Sequence, residues 1–391
     1  MIYLDNSATT QPLPEVVASA EKFLSTYGSI HRGYGHNSNK STDAYESARA
    51  TVENYIKAED GKDVVIFTGN TTDGINKFCL IFPWNIGDQV LISDIEHSAN
   101  FLPWQKFASI VRVKTDSNYR IDPSDVDREL SNNPNVRVVS LSGASNITGE
   151  VSNIKEIYKV CKKHNVYFFV DASQTMGHYP LTLDECDFMA FSGHKMYAPY
   201  GGGVLAGRKV ILDNPGMGLT GGGNIIFATD DGVAYKEAPY LHEAGTPNGL
   251  GAITIATALT TLHEKYGYDY IQKHDREVSR WWKKYIVPIQ EIEVFFCEGS
   301  NLVFTVKDGD DDSFAKKLGD AGISLRYGAF CVYSMICRML GIEEHNVLSY
   351  VNKHKSLPKD FGVIRCSAGL MTTEEDIKQL SEIIKKEVKH V

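Results

Sequence analysis

The chain has 391 residues, 42% of them hydrophobic and 23% charged, with a formal net charge of −9. That is the composition of a globular protein with length for two domains, or for one large domain and a smaller companion. The acidic balance argues against nucleic acid as the main partner, because phosphate backbones require a basic surface.

No apolar run reaches the length of a membrane span, and the opening MIYLDNSATT shows no charged-then-apolar leader pattern, so a cytoplasmic protein without a membrane partner is expected. The seven cysteines are Cys79, Cys161, Cys186, Cys297, Cys331, Cys337 and Cys366. The odd count and the lack of a Cys-x-x-Cys pair speak against a disulfide framework and a structural metal site, so no metal is expected. Most of these thiols read as small buried hydrophobes.

Leu13 to Leu24 reads as a helix with Pro14 near its first turn, and a second helix runs from about Thr42, with Tyr45, Ala48, Val52 and Tyr55 at helical spacing. Six short apolar runs follow: DVVIF (Asp63–Phe67), QVLIS (Gln89–Ser93), VRVVSL (Val136–Leu141), VYFFV (Val166–Val170), DFMAF (Asp187–Phe191) and GVLAG (Gly203–Gly207). Helix candidates such as Asp73–Phe82 and Ile154–His164 lie between them. Apolar strands alternating with helices predict an α/β fold, with a mostly parallel sheet covered on both faces. A long helix from about Gly249 to Tyr266 leads toward a smaller α+β region, where NLVFTV (Asn301–Val306) and GVIRCS (Gly362–Ser367) read as strands. Its last helix opens with a capping box at Thr372 and Glu375.

In such a sheet, ligands bind beyond the carboxyl ends of the strands. TGNTTDGIN follows the first run, and its Thr71 and Thr72 either cap a helix or hold a phosphate on free N–H groups. His97 follows the second run; Asn146, in a glycine-flanked loop that also suits a turn, follows the third. Asp171 ends the fourth, where a desolvated carboxylate needs a cation or donor, although it could also cap the next helix. Gln174 lies just beyond it, and Ser192, His194 and Lys195 follow the fifth run. Each is weak alone. Together they supply a phosphate cradle, a carboxylate for a protonated ring nitrogen, an imidazole to stack on a ring and an amine, which are the requirements of pyridoxal 5'-phosphate.

At this point the sequence resembles the class V, fold-type I pyridoxal-phosphate enzymes of the cysteine desulfurase and selenocysteine lyase family. The resemblance rests on YLDNSATT, HRGYG with YESAR, FTGNTTDGIN, DIEHSAN, SNITGE, VDASQ, SGHKMYAP, EAGTPN, LRYGAFC and VIRCS, in that order along the chain. It implies a seven-stranded sheet sandwiched by helices in a large domain over 15–260, and a small α+β domain made of 1–14 and 261–391. It also implies that Lys195 bonds the cofactor aldehyde, Asp171 pairs with the pyridine nitrogen, Gln174 meets the phenolic oxygen and His97 stacks on the ring. Thr71, Thr72, Ser192 and His194 would hold the phosphate, and Thr246 would reach the phosphate of a neighbouring subunit, implying a homodimer. Arg365 would clamp the substrate carboxylate, with Asn146, Arg326 and His31 on the substrate side.

Cys331 falls five residues after Arg326, matching the spacing of the desulfurase nucleophile. The implied reaction converts L-cysteine to L-alanine and leaves a persulfide on Cys331, to be passed to a sulfur-acceptor protein. Departures from the family pattern, among them Asn70 before the threonine pair and Ala198 in SGHKMYAP, lie near the substrate. They keep open another class V activity on an amino acid: transamination, epimerisation, C–S lysis or selenocysteine lysis.

Overall fold

The computed structural model describes residues 1–216 and 218–388. Its main sheet has seven strands, in the order Asp63–Thr68, Gly203–Arg208, Phe188–Ser192, Tyr167–Asp171, Val136–Ser142, Gln89–Ser93 and Ser109–Val113. The strands from Phe188–Ser192 to Ser109–Val113 pair in parallel, and Gly203–Arg208 runs antiparallel to both of its neighbours.

Side chains alternate between two cores, as the period of a strand requires. Val65, Phe67, Val139, Leu141, Phe168 and Val170 enter the core under the helices Pro14–Ser25, His36–Tyr55 and Gly249–Thr260. Val64, Ile66, Val138 and Phe169 enter the opposite one, with Phe78 of the helix Thr71–Ile81 and Trp104. The six apolar runs of the sequence are all strands of this sheet, shifted by one residue at most. The seventh, Ser109–Val113, carries no such signal, because it is an edge strand with exposed Ser109 and Arg112. The long helix from Gly249 continues from Thr260 into a wider turn over Thr261–Tyr266, and Gly267 ends it at φ +77°.

A second, fully antiparallel sheet orders Ile292–Glu298, Asn301–Val306, Val363–Ser367 and Arg326–Gly328. Strand Ile2–Tyr3 pairs in parallel with Ile323–Ser324, and Ile2 and Leu4 join the apolar core of this region. This return of the N-terminus supports the proposed division into 15–260 and 1–14 with 261–391. The last helix, Glu374–Glu387, does open with a capping box, but one residue later than expected: Thr373 and Asp376 form it. Thr372 is engaged elsewhere, its hydroxyl accepting from the Gly369 N–H and its carbonyl from His274.

Candidate active site

The carboxyl ends of the main sheet's strands converge on a cavity of about 520 Å³. Thr71, Thr72, His97, Asn146, Asp171, Gln174, Ser192, His194, Lys195, Arg326, Cys331 and Arg365 all line it. The second sheet supplies Arg326 and Arg365, so the site lies between the two regions.

At one end the chain turns from strand Asp63–Thr68 into helix Thr71–Ile81. Asn70 caps that helix, its side-chain oxygen accepting from the Asp73 N–H at 2.9 Å. The Thr71 N–H donates to Ser192 Oγ at 2.8 Å, and the Thr71 hydroxyl lies 2.7 Å from both Ser192 Oγ and Ser173 Oγ. Hydroxyls and a helix N-terminus thus face the same end of the cavity, where an anion is favoured. Gly203 makes the approach possible: a Cβ there would fall 2.6 Å from Asn70 Cα.

Lys195 ends a short turn, Gly193–Lys195, directly after strand Phe188–Ser192. The Gly193 N–H donates to the Gly202 carbonyl, and the His194 carbonyl accepts from the Thr10 N–H, so the turn is held from both sides. Burial pushes the Lys195 amine below its ordinary pKa; the Asp171 carboxylate opposes this, and the charges of Arg365 and Arg326 add to it. Asp171 is itself buried and accepts from the Ser173 N–H at 3.0 Å. Burial, aided by the Lys195 charge, lowers His194 to about 4. His97 is lowered for the same two reasons, and its Nδ1 accepts from the Ala99 N–H at 3.1 Å. Its ring is therefore neutral, with the proton on Nε2.

On the opposite wall, Arg365 is 1% exposed. Its Nη1 donates to the Asn146 carbonyl at 2.8 Å and its Nη2 to Asp5 Oδ1 at 3.2 Å, while its buried Nε has no partner among the described residues. Burial lowers its pKa to about 10 despite the Asp5 charge. Arg326 donates to the other Asp5 oxygen from Nε and Nη2, at 3.2 and 2.9 Å. Two guanidinium groups on one carboxylate leave a net positive charge, suited to the carboxylate of an amino acid.

Cys331 is exposed and Cys297 half-buried, and the other cysteines are buried. Burial raises the thiols of Cys79, Cys161, Cys186, Cys297, Cys337 and Cys366 above their ordinary pKa.

Two sequence candidates lie outside this cavity. Thr246 is exposed and lines a separate cavity with Tyr45, Phe67 and Glu243. His31 sits against Glu46 at 2.6 Å, beside Tyr240. Gln174 lines the cavity, but its Nε2 donates to the Ser7 carbonyl at 2.7 Å. Sequence reasoning missed Asp5, Ser98 and Ser173. Asp5 lies in YLDNSATT and Ser173 in DASQT, yet their partners are distant in sequence.

A half-buried lysine and a buried carboxylate lie at the strand ends of a mostly parallel sheet, beside hydroxyls at a helix N-terminus, which is the layout of an α/β enzyme site. The aminotransferase class-V family model matches residues 2–380, and the chain belongs to that family. A probable cysteine desulfurase of Haemophilus influenzae is 32% identical, the match covering 87% of this chain and 79% of that protein. One from Borreliella burgdorferi is 30% identical, over 85% of this chain and 83% of that protein. Among solved structures, the cysteine desulfurase CsdA from Escherichia coli superposes with a TM-score of 0.86 at 26% identity, covering 100% of this chain and 95% of that one. The apo cysteine desulfurase from Thermococcus onnurineus gives a TM-score of 0.85 at 26% identity, with the same coverage. The fold is thus that of fold-type I enzymes.

Proposed function

We propose that the protein is a pyridoxal-phosphate-dependent cysteine desulfurase, which converts L-cysteine to L-alanine and receives the sulfur on Cys331 as a persulfide. The observation that carries this reading is the position of Cys331, the one exposed cysteine, on the cavity that also holds Lys195, His97 and Arg365. The similarity to cysteine desulfurases supports it.

The donor set fits the cofactor. Thr71, Thr72, Ser192 and His194 would hold its phosphate, Asp171 a protonated ring nitrogen, Gln174 the phenolic oxygen and Lys195 the aldehyde. When bound, the cofactor supplies an electron sink for the pair released at the substrate Cα. The Nε of Arg365, without a partner among the described residues, leaves a donor for the substrate carboxylate, with Asn146 beside it. The depressed pKa of Lys195 brings its amine closer to the neutral form that can take the Cα proton. Neutral His97 offers its Nε2 proton to the cavity.

The Cys331 thiolate then attacks the substrate sulfur. A sulfur–sulfur bond forms as the carbon–sulfur bond breaks, and the bonding pair stays with the substrate carbon. The proton given up by Cys331 balances the hydrogen gained by alanine, so cysteine and thiol become alanine and persulfide with no added reductant.

The proposal includes a homodimer with shared sites. The exposed Thr246 supports it, as does the hairpin of Ile225–Thr229 and Gly232–Tyr235, which leaves Ile226 and Phe227 exposed at 71% and 64%. The free cysteines support a reducing, cytoplasmic setting, with a sulfur-acceptor protein as the onward partner. The test is the release of alanine and persulfide sulfur from L-cysteine by wild type and Cys331→Ser. Equal release of both products by wild type and loss in the variant support the reading; equal turnover by the two proteins sinks it.

A further inference from the structure

Phe330 and Cys331 both adopt left-handed backbone conformations, at φ +51° and +59°. Side-chain-bearing residues occupy that region at a cost, and two in succession require something that holds them there. Both carbonyls are held. Phe330 accepts from Asn146 Nδ2 at 3.1 Å. Cys331 accepts twice from Ser98, from its N–H and from its Oγ, each at 2.9 Å. The Phe330 ring lies against the Arg365 guanidinium, 4.4 Å from ring centre to Cζ.

The base of the turn is fixed as well. Val332 N–H closes it onto the Ala329 carbonyl at 2.9 Å. Val332 and Met335 then share one apolar core with Ile95 and Ile147, which belong to the loops that carry His97 and Asn146. The cysteine turn is therefore built onto the cofactor-side loops, and Ser98 is the next residue after His97.

We infer that Ser98 is a positioning residue for the sulfur-transfer step: its paired hydrogen bonds to the Cys331 carbonyl hold the thiol in a fixed place relative to His97 and the substrate cavity. The inference rests on the desulfurase reading, in which Cys331 is the sulfur acceptor. Ser98 acts through the backbone of Cys331, since both of its hydrogen bonds go to that carbonyl. Transfer between two sulfurs is sensitive to their separation and alignment, so a looser turn slows that step without weakening substrate capture at Arg365.

The experiment uses the holoenzyme of wild type, Ser98→Ala and Ser98→Thr, with L-cysteine in single turnover. Persulfide on Cys331 is read by mass spectrometry, KM in the steady state, and cofactor loading by visible absorbance. Ser98→Ala keeps the backbone donor and loses the hydroxyl. The expected result is persulfide formation slower by about tenfold, the rate equivalent of one hydrogen bond, with KM and absorbance unchanged. Ser98→Thr, which restores a hydroxyl, is expected to recover most of the rate. Persulfide formation in Ser98→Ala within about twofold of wild type overturns the inference, as does a loss that threonine does not rescue. If wild type itself forms no persulfide on Cys331, the desulfurase reading falls and this inference with it; if wild type forms it and Ser98→Ala matches it, only the role of Ser98 falls.

Discussion

Arg365 and Asp5 meet across 360 residues of sequence, with Nη2 donating to Oδ1 at 3.2 Å. The contact ties the first segment of the chain to a central strand of the second sheet, where the neighbouring Asp5–Ser367 bridge also forms. The same carboxylate holds Arg326, but the two arginines differ in exposure: the Arg365 side chain is 2% exposed and that of Arg326 51%. A carboxylate facing a buried guanidinium is worth more than one facing a solvated guanidinium. Asp5→Asn is expected to lower the unfolding free energy by about 2 kcal/mol, and Arg326→Gln by less than about 1 kcal/mol. Urea denaturation of the two variants checks this; losses of equal size would show that Arg365 does not depend on Asp5.

Thiol chemistry should separate Cys331 from the other cysteines. It is exposed, whereas burial raises the pKa of each of the other six, and a raised pKa reduces the reactive thiolate. With substoichiometric iodoacetamide on the folded protein, Cys331 is expected to carry nearly all of the label, its rate exceeding the others by roughly a hundredfold. Peptide mapping gives the distribution. Substantial labelling of Cys297, the half-buried one, at a comparable rate would contradict the picture.

Much of this site was legible in the sequence because the chemistry sits at strand ends. An apolar run followed by Ser-Gly-His-Lys or by Asp-Ala-Ser-Gln places its polar residues on the carboxyl edge whatever the details of packing. The edge strand Ser109–Val113 was not legible, since partial exposure removes the hydrophobic signal that marks a buried strand. The capping box was misplaced by one residue because Thr372 and Thr373 are equivalent by type, and only the backbone decides which of them caps. Asp5 and Ser98 escaped notice for another reason. Their roles depend on Arg365 and Cys331, and no local period or spacing encodes a contact between distant segments.

Glu96 gives a pH-dependent test. It is buried beside His97 and accepts from Ser93 Oγ at 2.5 Å, Asn100 Nδ2 at 2.7 Å, Ser142 N–H at 2.9 Å and Ser142 Oγ at 2.6 Å. Burial raises its pKa above the ordinary 4.5 in spite of these bonds. A carboxyl raised on folding adds stability below the unfolded pKa, and that contribution is lost as pH rises through the folded value. Glutamine keeps one acceptor and can donate to Ser93 Oγ, but it carries no proton to lose. Glu96→Gln should therefore gain on wild type as pH rises from 4.5 to neutrality, whereas Glu96→Ala, which strands these donors, should cost about 3 kcal/mol or more at any pH. Urea midpoints at acid and neutral pH decide it; a wild-type advantage over Glu96→Gln that widens with pH would mean that Glu96 is stabilised as its anion.

The pair Arg49 and Glu243 carries the last prediction. Their side chains are 6% and 4% exposed, and they meet in two parallel bonds: Nη1 to Oε1 and Nη2 to Oε2, each at 2.8 Å. Glu243 also accepts from the Phe67 N–H and the Tyr45 hydroxyl, and Arg49 donates to the Val65 carbonyl. The pair thus joins helix His36–Tyr55, strand Asp63–Thr68 and the segment leading to Thr246. Removing one partner leaves a buried charge uncompensated, so Arg49→Met is expected to cost about 3–5 kcal/mol. Replacing both charges, as Arg49→Met with Glu243→Gln, removes that penalty and should recover part of the loss. A double-mutant cycle in urea measures the coupling, and a double variant no more stable than Arg49→Met would mean that the bonds to Val65, Phe67 and Tyr45 hold this junction and the ion pair adds little.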